Sequence, residues 1–156
     1  MMKSFTSRGG WWVTAQFGLL FTILLAPGAF SGLPVLSGQA TLIAGLVLGG
    51  CGGLLALAGL LHLDANLTPF PRPIEGGTLV QRGAYALVRH PIYSGIIMAA
   101  FGWSLVRGSI LALVLSTGLL VFFYFKSQRE ERWLVEQYPE YADYQRRVKR
   151  LIPFIW

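Results

Sequence analysis

The stretch Leu79–Gly95, LVQRGAYALVRHPIYSG, gathers Tyr85, Arg89, His90 and Tyr93 at the start of an apolar run. Pro91 suits the first position of a helix, because its missing amide hydrogen would be unpaired there anyway, and it pushes His90 into an extended cap geometry. The free amides of that helix start, with Arg89 and His90 beside them, form an anion-binding corner for a carboxylate or phosphate. Taken alone, Arg89 reads as an arginine snorkelling to the cytoplasmic face. Tyr85, Arg89, His90 and Tyr93 together at a water–lipid boundary read as a site.

A second group follows at Lys126, Glu130, Glu131 and Leu134. Lys126, Glu130 and Leu134 are spaced by four and share a helical face. Two carboxylates beside a lysine next to a membrane could hold a cation such as an ammonium or a sulfonium; a solvated, charged helix fits the same residues. His62 at the end of an apolar run beside Asp64 reads as structural, and two histidines with no second cluster give no expectation of a metal. The single cysteine, Cys51, allows no internal disulfide and reads as a small packing residue.

These groups must be carried by membrane elements. Of the 156 residues 54% are apolar and only 13% charged, with a mean hydropathy of +0.55. The apolar residues cluster into long runs, as a lipid solvent demands. Four runs stand out: about Trp11–Phe30, Ala40–Leu63, Pro91–Val106 and Ser109–Phe125. The last two reach only about 24–26 Å, short of a hydrocarbon core of about 30 Å. Arg107-Gly108 between them leaves room for a tight turn, hence an antiparallel hairpin. The second run carries Gly45, Gly49, Gly50, Gly52, Gly53 and Gly59, with overlapping G-x-x-x-G spacings that let a helix approach closely. Packing within this chain is expected there rather than a dimer contact, and a glycine string inside an apolar helix is no phosphate loop.

Connections carry the orientation. The 31–39 segment has no Lys or Arg and the 107–108 turn has one, while the N-terminus, the 64–90 loop and the tail hold the other 12 of 13. The positive-inside rule puts these three segments, both termini and the site in the cytoplasm. Lys3 and Arg8 before the first run resemble a signal peptide, but with no A-x-A-like cleavage site the run is expected to stay as a helix. Pro69, Pro71, Pro73, Gly76, Gly77 and Gly83 prevent the loop from forming one helix, and Asn66 and Thr68 turn the chain as it leaves the membrane. The charged tail reads as two short interfacial helices around Pro139, with Trp156 as an anchor. The net charge of +6 fits anionic lipid, not nucleic acid, because no aromatic–basic interleaving accompanies it. The expectation is an all-α integral membrane bundle of about four transmembrane helices. It forms one domain over 1–156, with two N-terminal helices in 1–63 and a catalytic part in 64–156.

The segments LTPFPRP, LVQRGAY, RHPIYSG, EERWL and YADYQRRVKRLIP, in this order over roughly Asn66–Pro153, resemble the isoprenylcysteine carboxyl methyltransferase family. Its small bacterial relatives and the phospholipid N-methyltransferases share the resemblance. It implies S-adenosylmethionine as methyl donor, held without a Rossmann fold in a pocket facing the cytosol. Carried over by position, cofactor contacts fall on Thr78, Leu79, Val80, Tyr85, His90, Pro91, Ile92 and Tyr93, with Arg89 and Glu131 added from the residues themselves. Glu130 matches the family's glutamate at the substrate end, and Lys126 stands where the family has an arginine. The lysine keeps the charge but loses the bidentate fork suited to a carboxylate.

Methyl transfer from a sulfonium is an in-line displacement, so positioning should dominate. The expected function is S-adenosylmethionine-dependent methylation of a lipophilic small-molecule or lipid-anchored acceptor, most like isoprenylcysteine carboxyl O-methylation, with Glu130 and Lys126 orienting the acceptor. Phospholipid N-methylation and thiol S-methylation are alternatives. Membrane sterol reductases also carry R-H-P-x-Y, where it serves NADPH, and a non-catalytic membrane adaptor is a further alternative.

Overall fold

The computed structural model describes residues 9–28, 38–63, 66, 68, 70 and 76–152. The expected anchor Trp156 and the loop prolines Pro69, Pro71 and Pro73 lie outside them. Among these residues six helices follow in order: α1 (Gly10–Leu25), α2 (Gln39–Leu63), α3 (Ala84–Leu87), α4 (Pro91–Val106), α5 (Ile110–Gln137) and α6 (Tyr141–Arg147). The all-helical expectation holds among the described residues, where the sole β feature is a parallel bridge between Val88 and Lys149.

The bundle is turned inside out relative to a water-soluble one. Phe17, Phe21, Leu24 and Leu25 of α1 and Leu46, Val47, Leu54 and Leu61 of α2 are all more than half exposed. Only 17% of the most apolar window of α2 is buried, so these side chains face lipid rather than a protein core. Cys51, expected as a packing residue, is exposed on this outer surface. Helices α2 and α5 are long and apolar enough to cross a membrane, whereas α1 and α4 are apolar with 16 residues each.

Helix α5 departs from expectation. Its 28 residues rise about 42 Å, running without a break from the apolar Ile110 through the charged KSQREERWLVEQ segment. It is therefore not short, and the tail contains one separate short helix, α6, where two were expected. Charge density marks where the helix leaves lipid, but Lys, Gln, Arg, Glu and Leu are all strong helix formers and nothing among them stops it.

Helices α2 and α4 make the closest contact in the bundle. A Cβ at Gly52 would lie 2.6 Å from the Gly95 carbonyl oxygen, one at Gly45 2.8 Å from that of Gly102, and one at Gly59 2.8 Å from Ile92. Packing of these glycines within the chain is as expected: Gly45, Gly52 and Gly59 recur at a spacing of seven, and Gly49, which completes the first G-x-x-x-G with Gly45, also meets Gly102, whose Cβ would lie 2.5 Å from the Gly49 nitrogen. Gly50 and Gly53 meet nothing within 4 Å, so the second G-x-x-x-G is not used here. The α4–α5 hairpin turns on Gly108 at φ 57°, and Ser109 caps α5 by accepting from the Ala112 amide at 3.2 Å. Across the bundle α5 packs on both α4 and α1, while α1 and α2 are not packed along each other.

Candidate active site

Pro91 opens α4 and His90 caps it with φ −127° and ψ 65°, its carbonyl accepting from the Ser94 amide at 3.0 Å. Immediately upstream, the chain lies beside the returning tail. The Arg89 amide donates to the Lys149 carbonyl at 2.8 Å and the His90 amide to that of Arg150 at 3.1 Å. Ser94 Oγ donates to the Leu151 carbonyl at 2.6 Å, and Tyr144 Oη to the Tyr85 carbonyl at 2.5 Å. The tail is thereby stapled to the segment that starts α4.

Glu131, 3% exposed, is the electrostatic centre of this staple. Its Oε1 accepts from Arg89 Nε at 2.7 Å and His90 Nε2 at 3.1 Å; its Oε2 accepts from Arg150 Nη2 at 2.8 Å and Gln145 Nε2 at 3.1 Å. Such a ring of donors favours the charged carboxylate and repays its burial. Arg89 is spent on the same structure, with Nη1 donating to the Gln145 and Val148 carbonyls. The guanidinium expected at an open anion-binding corner is therefore committed to tail and hub.

A cavity of about 450 Å³ opens on the other side of these elements. Thr78, Leu79, Val80, Tyr85, Arg89, His90, Ile92 and Tyr93 line it from the loop and α4, and Lys126, Glu130 and Leu134 line it from α5. Of the residues singled out in the sequence, Pro91 and Glu131 do not line it. Tyr93 Oη donates to Glu130 Oε2 at 2.7 Å, and His90 Nδ1 lies 4.0 Å from the same oxygen. The Tyr93 ring is stacked between His90, centroids 5.3 Å apart, and Phe123 at 4.5 Å. Lys126 Nζ sits 5.0 Å from the Tyr93 centroid and donates to Gln16 Oε1 at 2.5 Å. Loop geometry is held by Asn66, whose Oδ1 accepts from the Thr78 amide at 2.9 Å, and by Thr68, whose Oγ1 accepts from the Phe70 amide at 3.3 Å. His62 is structural: its ring covers Gly83, which adopts φ 61° and has no room for a Cβ.

Tyr138, Tyr141 and Tyr144 from the tail and Gln16 from α1 also line the cavity, and none is in the sequence expectation. Gln16 carries a readable signal, being a carboxamide inside an apolar run. The tail tyrosines carry none, because their helical spacing is equally that of an interfacial helix. Burial pushes the phenols of Tyr85, Tyr141 and Tyr144 well up from their usual range, so all three are neutral hydroxyls at pH 7.

A cavity at the end of an apolar bundle, walled by a carboxylate, an ammonium and aromatic rings, suits a charged, partly apolar ligand. Residues 40–141 match the model of the phospholipid methyltransferase family, PEMT, and the chain belongs to that family. It is 38% identical over 81 residues to a protein-S-isoprenylcysteine O-methyltransferase of Schizosaccharomyces pombe, covering 49% of this chain and 34% of that protein. It is 30% identical over 80 residues to the cobalt-zinc-cadmium resistance protein CzcN of Cupriavidus metallidurans, covering 51% of this chain and 37% of that one. The matches thus span little more than a third of either relative. The solved structure of a eukaryotic intramembrane Ras methyltransferase, ICMT, superposes with a TM-score of 0.66 at 23% identity, covering 99% of this chain and 55% of that one; the fold is shared. The resemblance read from the motifs is thereby upheld. Among the described residues, no group of three His, Cys, Asp or Glu side chains could hold a metal.

Proposed function

We propose that this chain is an S-adenosylmethionine-dependent methyltransferase acting on a lipophilic acceptor, with isoprenylcysteine carboxyl O-methylation as the nearest chemistry. The observation that carries the reading is the single cavity shared by the 78–80 loop, the start of α4 and the Lys126–Glu130–Leu134 stripe of α5. The residues fit the donor: the Glu130 carboxylate suits a sulfonium, and the volume lies within the range of about 300–1,000 Å³ usual for small-molecule sites. When bound, the donor supplies an electrophilic methyl group. The chain's own work is to hold both reactants in line and keep water out.

Thr78, Leu79, Val80, Tyr85 and the His90–Tyr93 turn hold the donor. Glu130, fixed by Tyr93 Oη, sits where it stabilises positive charge, and Lys126 orients the acceptor from the membrane side. Arg89, Pro91 and Glu131 act indirectly by fixing the start of α4 and the tail. The lipophilic part of the acceptor enters from the bilayer through the unpacked gap between α1 and α2. All four apolar helices, α1, α2, α4 and α5, span the membrane, with the two 16-residue helices matched by local thinning. The termini and the cavity mouth face the cytoplasm, as the distribution of Lys and Arg supports.

Two measurements test this. In detergent, S-adenosylhomocysteine should raise the melting temperature progressively with the logarithm of its concentration while NADP leaves it unchanged. Glu130→Ala should lower methyl transfer to a panel of prenylcysteine, phosphatidylethanolamine and thiol acceptors by about a hundredfold or more. Unchanged donor affinity and unchanged transfer in that variant would sink the assignment of Glu130.

A further inference from the structure

Helix α1 lies outside the segment that matches the family, yet it delivers one polar side chain to the cavity wall. Gln16 sits half-buried among Trp11, Trp12, Phe17, Leu19 and Leu20, in a helix whose other outward residues face lipid. An uncompensated carboxamide at that depth is costly. Its Oε1 accepts from Lys126 Nζ at 2.5 Å. An ammonium can only donate, so this contact fixes the orientation of the amide and turns the Nε2 hydrogens away from Lys126. Among the described residues, Nε2 has no hydrogen-bond partner. Two kinds of N–H donor, one cationic and one neutral, thus stand side by side in the wall of one cavity, joined across 110 positions of sequence.

We propose that Gln16 is a specificity-determining residue of the acceptor end: its Nε2 amide and the Lys126 ammonium form a two-pronged donor site for an oxyanion carried by the acceptor. The inference rests on the methyltransferase reading and deepens it. The carbonyl of Gln16 holds the ammonium in place on the Tyr93 face, and the amide adds the second prong. A carboxylate and a phosphate diester offer the same paired oxygens, and both are paired with long apolar chains in membrane molecules.

The test uses the full chain in nanodiscs, with Gln16→Leu and Gln16→Glu beside the unaltered protein. The acceptor probes are N-acetyl-S-farnesylcysteine for the carboxylate and dioleoylphosphatidylethanolamine for the phosphate diester. Gln16→Leu should raise the acceptor KM about tenfold or more with donor affinity unchanged, the size expected for losing one hydrogen bond to a charged group. Gln16→Glu should move two quantities in opposite directions. The new carboxylate pairs with Lys126 and keeps or raises the melting temperature, while it repels the oxyanion and raises KM further. A purely structural role for Gln16 predicts that a well-folded Gln16→Glu protein keeps its KM, and that result overturns the proposal. KM within about twofold of the unaltered protein for both variants also overturns it. The probe whose KM responds identifies the oxyanion. If S-adenosylhomocysteine stabilises the unaltered protein but neither probe is methylated, the oxyanion proposal fails while the donor reading stands. If S-adenosylhomocysteine does not stabilise it, both fail.

Discussion

Glu130 and Glu131 are neighbours in sequence, but a helix rotates about 100° per residue, and that rotation divides them between different tasks. Glu130 looks into the cavity and Glu131 into the ring of donors formed by Arg89, His90, Gln145 and Arg150. Glu131→Ala would leave two guanidinium groups without their counter-charge and should cost about 3–5 kcal/mol in thermal or denaturant unfolding. Two tail tyrosines give an internal contrast. Tyr144 Oη has a partner in the Tyr85 carbonyl, whereas Tyr141 Oη is buried with none among the described residues. Tyr144→Phe should therefore destabilise the ligand-free protein by about 1 kcal/mol, and Tyr141→Phe should leave its melting temperature equal or higher. The Lys126–Glu130–Leu134 stripe was legible because a spacing of four is a property of the helix itself. The occupation of Arg89 was not, since besides Glu131 its partners are the Gln145 and Val148 carbonyls, and nothing local announces a tail that folds back.

At the level of helices, the α2–α4 seam is readable only when both partners are known. A run of six glycines offers spacings of three, four and seven at once, and the facing Gly95 and Gly102 select Gly45, Gly49 and Gly52 from it, leaving Gly50 and Gly53 outside the seam. The seam makes a sharp prediction. Gly52→Leu should abolish the folded protein, seen as loss of a monodisperse species in detergent, because the added carbons meet the α4 backbone. Gly53→Leu should be tolerated within about 0.5 kcal/mol, because it faces open space toward lipid. The apolar runs forecast α2 and α4 to within a residue, since lipid-facing helices advertise themselves through composition. The far end of α5 was missed for the complementary reason: leaving lipid changes the residues a helix prefers but does not end the helix.

For the whole molecule, sidedness has a direct measurement. With Cys51→Ser as background, cysteines placed at Gly76 and Arg146 should react with a membrane-impermeant maleimide only from the cytoplasmic side, and one at Arg107 only from the other. Labelling of Gly76 and Arg107 from the same side would exclude the proposed topology.

The bridge between Val88 and Lys149 also bears on how the protein is made. Residues 141–151 are made after helices α1 to α5, and they bring Gln145 and Arg150 to Glu131 and the Lys149 carbonyl to the segment that starts α4. Glu131 gains Gln145 and Arg150 only when that segment folds back, so a chain stopped near residue 140 would carry α1 to α5 with an unfinished site. Completion of the pocket therefore waits on the segment that is made last.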